Sequence, residues 1–151
     1  MSNISRLAEC GGIDEATKTN TSFILYKNES ENRFILVRTF IPNVSGEIFL
    51  HILTLKKENY NTFLNCINRV LVLSYYNKIK NNTEKIPKIC VVNTNFYFNC
   101  TQNRQYHIIN YLQCPDYDAI PKPIHKQVLF DFYFDNSDLK IIYELMRGIN
   151  V

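Results

Sequence analysis

Between Ile48 and Leu71 the spacing of apolar residues changes from alternating to helical, and the same change recurs between Val128 and Met146. A period of two places side chains on opposite faces of a strand, whereas steps of three and four line one stripe of a helix. A chain that makes this switch twice has two strand-helix junctions to bury, which points to the α+β class. In the first half, Ile48 to Leu55 reads as a strand rich in β-branched and aromatic residues. Tyr60, Phe63, Leu64, Ile67, Val70 and Leu71 then mark the core face of a helix that begins near Lys57. In the second half, Val128 to Phe134 reads as one strand, and Leu139, Ile142, Tyr143 and Met146 mark a helix with Asn136 or Ser137 as N-cap and Gly148 at its end.

Sliding one half over the other by 79 residues superposes Leu53, Leu55, Tyr60, Phe63, Leu64 and Ile67 on Phe132, Phe134, Leu139, Ile142, Tyr143 and Met146 without a gap. An internal duplication accounts for this, and the strands upstream agree with it. Phe23–Tyr26 and Arg33–Ile41 flank a polar turn, Asn28 to Asn32, as a hairpin, and Pro42 to Gly46 supplies a second turn. Ile89–Val92, Phe96–Phe98 and Tyr106–Leu112 read as the matching strands of the second half. The expected architecture is therefore two tandem ββββα-like units, 21–80 and 89–151, joined by a linker at 81–88 and preceded by a flexible arm over 1–20. The units would form a pseudo-dimer within one chain or a dimer of chains.

The second half carries a strand Tyr106–Leu112, the turn Cys114-Pro115-Asp116, the loop Lys122-Pro123-Ile124-His125-Lys126, a strand Val128–Phe130 and the closing helix. This order resembles the positive-cofactor-four family of transcriptional coactivators over about 89–148. A looser likeness covers 22–76, where Arg38-Thr39-Phe40 and Gly46-Glu47-Ile48 echo the strand end and the following turn. The resemblance implies a ββββα unit that pairs through its helices and binds single-stranded DNA across a curved sheet. The sequence departs from the family at Ile41 and Leu112, where an aromatic would stack on bases, and at His125 and Gln127 in the basic loop.

Single-stranded nucleic-acid binding needs cations for phosphates and flat side chains for bases, with stacking worth about 1–3 kcal/mol per base. Lys27, Arg33, Arg38, Arg104, Lys122 and Lys126 are the candidate phosphate contacts, and Tyr106 and Tyr111 the candidates for stacking. The net charge of +3 does not by itself announce a nucleic-acid partner. Its distribution is more telling, since 21–80 holds eight Lys/Arg against four Glu while 127–151 holds two basic against four acidic residues. Catalysis finds little support: His51, His107 and His125 are dispersed, no nucleophile elbow or Gly-rich phosphate loop is present, and Asp116 and Asp118 lie in a turn where they would cap backbone amides. The expectation is a non-enzymatic single-stranded-DNA-binding protein acting in transcription or replication, with RNA as another substrate and no cofactor, metal, small-molecule substrate or membrane partner. The alternative is a protein-interaction module, such as a viral factor that captures a host protein.

At 151 residues the chain can bury about two-thirds of its unfolded surface. Heavy use of Asn, Lys, Ile and Tyr points to the AT-rich genome of a virus or protist, and explains six Asn-x-Ser/Thr sequons by chance. With no apolar run of seven near the start and none of eighteen anywhere, the chain as given is expected to be intracellular, nuclear or cytoplasmic. The odd number of five cysteines, without a Cys-x-x-Cys pair, fits reduced thiols there.

Overall fold

A computed structural model describes the backbone of residues 4–14, 19–40, 48–80, 89–93, 96–100, 106–110, 115–121, 126–129 and 132–151, and the side chains of 4–11, 21–40, 48–75, 115–121 and 134–151. The first sheet contains β1 (Ile4–Asp14), β2 (Thr19–Asn28), β3 (Arg33–Phe40), β4 (Ile48–Lys56) and β8 (Lys126–Leu129), in the order β1-β2-β3-β4-β8. The second contains β5 (Ile89–Asn93), β6 (Phe96–Cys100), β7 (Tyr106–Asn110) and β9 (Phe132–Phe134), antiparallel throughout. With the helices α1 (Lys57–Lys80) and α2 (Asn136–Arg147), the chain is an α+β protein. Among the described residues, no helix is long and apolar enough to cross a membrane.

The strands β2, β3 and β4 are buried on both faces, and their alternation sorts two cores. Phe23, Leu25, Phe34, Leu36, Leu53 and Leu55 share one core with Tyr60, Phe63, Ile67 and Val70 of α1 and Leu139, Ile142 and Met146 of α2. On the opposite face Tyr26, Ile35, Val37, Leu50 and Ile52 pack with Ile120, which follows a short 3₁₀ turn, Tyr117–Ala119. Several residue pairs 79 apart in the sequence are described on both sides. Leu55 and Phe134, Tyr60 and Leu139, Phe63 and Ile142, and Ile67 and Met146 are all buried in the first core, and Leu64 and Tyr143 are both half-buried at its edge.

Three expectations need correction. Residues 4–14, within the expected flexible arm, form β1, which pairs antiparallel with β2 and packs against α2. A bulge explains why this strand lacked a period: Arg6 opposes Tyr26 and Ala8 opposes Leu25, so the extra residue Leu7 resets the alternation. The bulge also leaves Arg6 and Glu9 on one face, where their side chains pair at 3.0 Å. The second correction concerns Val128–Phe134, which is not one strand. Its first part, β8, runs parallel to β4 with Leu50 beside Val128, and its second, β9, joins β7 of the other sheet. A strand from the second half thus completes the first sheet, so the 81–88 boundary is not a boundary of the sheets. The third is that Cys66 is disulfide-bonded rather than reduced, while Cys10 is a free thiol.

Helix ends follow local chemistry. The N-cap of α2 is Asp135 rather than the expected Asn136 or Ser137, because Asp135 and Asp138 complete a reciprocal capping box, and Gly148 stands at the C-cap as expected. The two helices are tied by Tyr60, whose hydroxyl donates to the Met146 carbonyl at 2.7 Å in the core and whose ring lies 4.5 Å from that of Phe34. Burial pushes the Tyr60 phenol up, so it stays a donor at any ordinary pH. Tyr60→Phe keeps the ring and leaves the Met146 carbonyl its backbone partner, the Ile149 amide, so only one hydrogen bond is lost, with an expected cost of about 0.5–1.5 kcal/mol in urea unfolding and an unchanged m-value.

Candidate functional site

The residues singled out as ligand contacts divide sharply. Arg38 is internal, 3% exposed, at the end of β3 on the helix-covered face. Its register partners are Phe23 on β2 and His51 on β4. The guanidinium pairs with Asp138 at 3.3 Å, donates from Nε to Thr21 Oγ1 at 3.2 Å, and lies 4.7, 5.4 and 5.8 Å from the ring centres of Phe40, Phe134 and Phe23. A charge satisfied by a carboxylate and aromatic faces inside the fold is not offered to a phosphate. Its expected phosphate role is therefore corrected to a structural one.

Arg33, at the other end of β3, serves the opposite face. Its Nε and Nη2 donate to Asp116 Oδ2 and Oδ1 at 3.1 and 3.0 Å, and Asn28, its neighbour across the hairpin, donates to Asp116 Oδ1 at 2.7 Å. Burial alone would raise the Asp116 carboxyl, but the hydrogen bonds from Arg33 and Asn28 and the Arg33 charge outweigh it and hold the group below the ordinary range. The Asp116 side chain thus binds β2 and β3 rather than capping its own turn, where its backbone carbonyl accepts from the Ala119 amide. Lys27 is 21% exposed at its side chain, pairs with Glu29 at 3.4 Å and lies over the Phe34 ring. Tyr106 opens β7 opposite Phe134 and Lys126 opens β8 beside Ile48, with side chains outside the described residues. Arg104, Tyr111 and Lys122 lie wholly outside them.

What the fold does assemble is an open cleft of about 770 Å³ lined by Glu31, Asn32, Arg33, Lys56, Lys57, Glu58, Asn61 and Val151. Its floor is the β2–β3 turn. Asn28 Oδ1 accepts from the Glu31 amide and Ser30 hydroxyl, and Asn32 takes φ 51°, a left-handed conformation that Asn tolerates better than most residues. The Asn32 carbonyl then accepts from the Lys57 amide at 3.0 Å, holding the turn against the first residue of α1. Lys56 and Lys57 are exposed and make no ion pair among the described residues, whereas Arg33 is committed to Asp116. Neither lysine was singled out in the sequence. The available signal was two adjacent cations where the strand period gives way to the helical one, at the end of a helix whose dipole disfavours them.

His51 is 4% exposed, edge-on to Phe40 with ring centres 5.1 Å apart. Burial and, second, the Arg38 charge pull its pKa from 6.5 down to about 3, so it is neutral and enclosed. Among the described residues no group of three His, Cys, Asp or Glu side chains could hold a metal. Comparison with protein-family models, curated proteins and solved structures returned no match.

Two outcomes test the buried cluster. Arg38→Ala strands Asp138 and is expected to cost about 3–5 kcal/mol, more than Arg38→Met combined with Asp138→Leu, as read by urea unfolding. His51 binds a proton more readily in the unfolded chain, so its contribution is complete above pH 6.5 and is lost as pH falls toward 3. Stability should therefore drop between pH 6.5 and 5 by up to about 1.4 kcal/mol per unit, and His51→Gln should flatten that slope.

Proposed function

We propose that this protein is a non-catalytic binding module for single-stranded nucleic acid, DNA in the first instance, serving transcription or replication. The reading rests on one observation, the exposed pair Lys56 and Lys57 in the cleft at the start of α1. Cations at a helix N-terminus work against the macrodipole at about 0.3–1 kcal/mol each, and here the two lysines stand beside Glu31 and Glu58 of the same cleft as its exposed sites for phosphate oxygens. Asn32 and Asn61, in the same cleft, supply neutral donors for a sugar-phosphate backbone. Further along α1, Arg69 is exposed and Tyr75 is 68% exposed, a cation and a stackable ring on the same helix. The phosphate contacts proposed are Lys56 and Lys57, in place of Arg38.

The duplicated-unit reading belongs with this proposal. It is supported by the matching burial of residues 79 apart, with the two helices meeting in one core as a pseudo-dimer's would.

A second reading, a protein-interaction module, is favoured by Val72 and Tyr75, which sit 57% and 68% exposed within one turn of α1. Salt separates the two. Anisotropy of a labelled single-stranded 20-mer should show binding at low salt that weakens steeply as salt rises, with duplex a poor competitor. Lys56→Ala with Lys57→Ala should lower the log-log salt slope by about 1.4, the share of two phosphates on a single strand. Absence of binding at low salt would move the assignment to the protein partner.

A further inference from the structure

We propose that Cys66 is joined to Cys90, fastening α1 to the β5 edge of the second sheet; the inference is independent of the ligand proposed above. Cys66 lies midway along the described part of α1, 6% exposed in the first core, and is disulfide-bonded. A disulfide needs Cα atoms about 4.4–6.8 Å apart, so the partner must lie on an element that touches α1. Among the described elements, the helix makes its main contacts with α2, β3, β4 and β5. Of these, α2, β3 and β4 contain no cysteine, and β5, Ile89-Cys90-Val91-Val92-Asn93, contains one. Cys10 is a free thiol, Cys100, on β6, is one strand further from α1 across β5, and Cys114 lies outside the described residues, which makes it the rival partner that the test must exclude.

The bond closes the chain from the middle of α1, through 81–88, to the start of the second sheet. Strands β5, β6 and β7 pair as successive antiparallel neighbours and β9 joins β7, so the link adds a cross-link between that sheet and the core of the first beyond the chain connections themselves. Its formation removes two electrons and two protons from the two thiols. A disulfide oxidant, such as oxidised glutathione or an oxidised dithiol oxidoreductase, accepts them and leaves as two thiols. The bond persists where thiols are not continually reduced, so this proposal requires an oxidising setting and departs from the reducing nucleus or cytoplasm in which transcription and replication run.

The test uses the full chain produced under oxidising conditions, with free thiols alkylated in denaturant and no reductant added. Trypsin would leave Cys90 and Cys100 on one peptide, because no Lys or Arg separates them, so chymotrypsin is used to cut at Phe96, Tyr97 and Phe98. Mass spectrometry should then find the Cys66 peptide linked to the peptide containing Cys90. A link to Cys100 or Cys114, or an alkylated Cys66, would overturn the assignment. Thiol titration in denaturant gives a second readout that does not require the variant to fold. Cys90→Ser should release Cys66 and show one more thiol than the parent, and no gain would count against the pairing. Reduction of the parent should lower Tm by roughly 6–12 °C, and should leave Cys90→Ser unmoved.

Discussion

A guanidinium enclosed in the core is the constraint on which the rest of the first sheet depends. Arg38 sits on the middle strand, on the face that α1 and α2 cover, and a bare charge there would cost several kcal/mol. The compensating carboxylate is Asp138, 100 residues away in sequence. That carboxylate also accepts from the Asp135 amide in the capping box of α2. The position of α2, the start of its first turn and the register of β2 and β4 around Arg38 are therefore one coupled arrangement. A slip of β3 by one residue would turn the charge to the other face. His51, directly across from Arg38, has to be neutral for the same reason, since a second cation in that space would oppose the first. Such a pair adds little net stability over apolar packing, but it penalises every alternative placement of α2.

A second clamp repeats the device on the other face. Arg33 and Asp116 are 83 residues apart, and their bidentate contact draws the 115–121 segment onto the face where Ile120 completes the smaller core. The two arginines stand at opposite ends of β3 and point to opposite faces, as the strand period requires of positions 33 and 38. Each reaches a carboxylate from the second half of the chain. Parallel pairing of β8 with β4 adds a third such connection, so the first sheet is finished only when the second half has arrived. Slow formation of this sheet relative to its own hairpins would follow from that topology.

The parts legible in the sequence were those carried by local periodicity. The β2–β3 hairpin, β4, the start of α1, the core face of both helices and the Gly148 terminus follow from spacing and turn chemistry within about ten residues. The failures have physical causes. At Leu7 a bulge removed the alternation by which β1 would have been recognised, and the Gly11-Gly12 pair added no side chains to restore it. The run Val128–Phe134 is apolar except for Asp131, and that single charge, which falls between the end of β8 and the start of β9, reads equally as one outward position of a continuous strand. Arg33 and Arg38 were read as ligand contacts because their partners, Asp116 and Asp138, lie too far along the chain for any window to associate them. The cleft lysines escaped notice because their meaning depends on the turn at Asn32 meeting the start of α1, a tertiary fact.

The division of labour between the two cationic residue types follows from their chemistry. Of the described arginines, Arg6, Arg33, Arg38 and Arg147 are paired with carboxylates, two of them through contacts that fix the fold. The guanidinium is weakly hydrated, planar and matched to a carboxylate, so it survives burial and rewards a fixed geometry. The ammonium of lysine is compact and strongly hydrated, and Lys56, Lys57 and Lys140 accordingly stay at the surface. On the proposed function, an anion approaching the cleft at the start of α1 therefore meets point charges, since Arg33 there is committed to Asp116. Recognition built on point charges orients a ligand poorly and attracts it well, which favours the repeated phosphates of a backbone over a single shaped group. On the proposed function, with Arg33 and Arg38 holding halves of the molecule together, the charge left for a partner is the lysine pair at the start of α1 with the exposed Arg69 further along it, and specificity would have to come from the neutral Asn and Tyr side chains of the same helix and cleft.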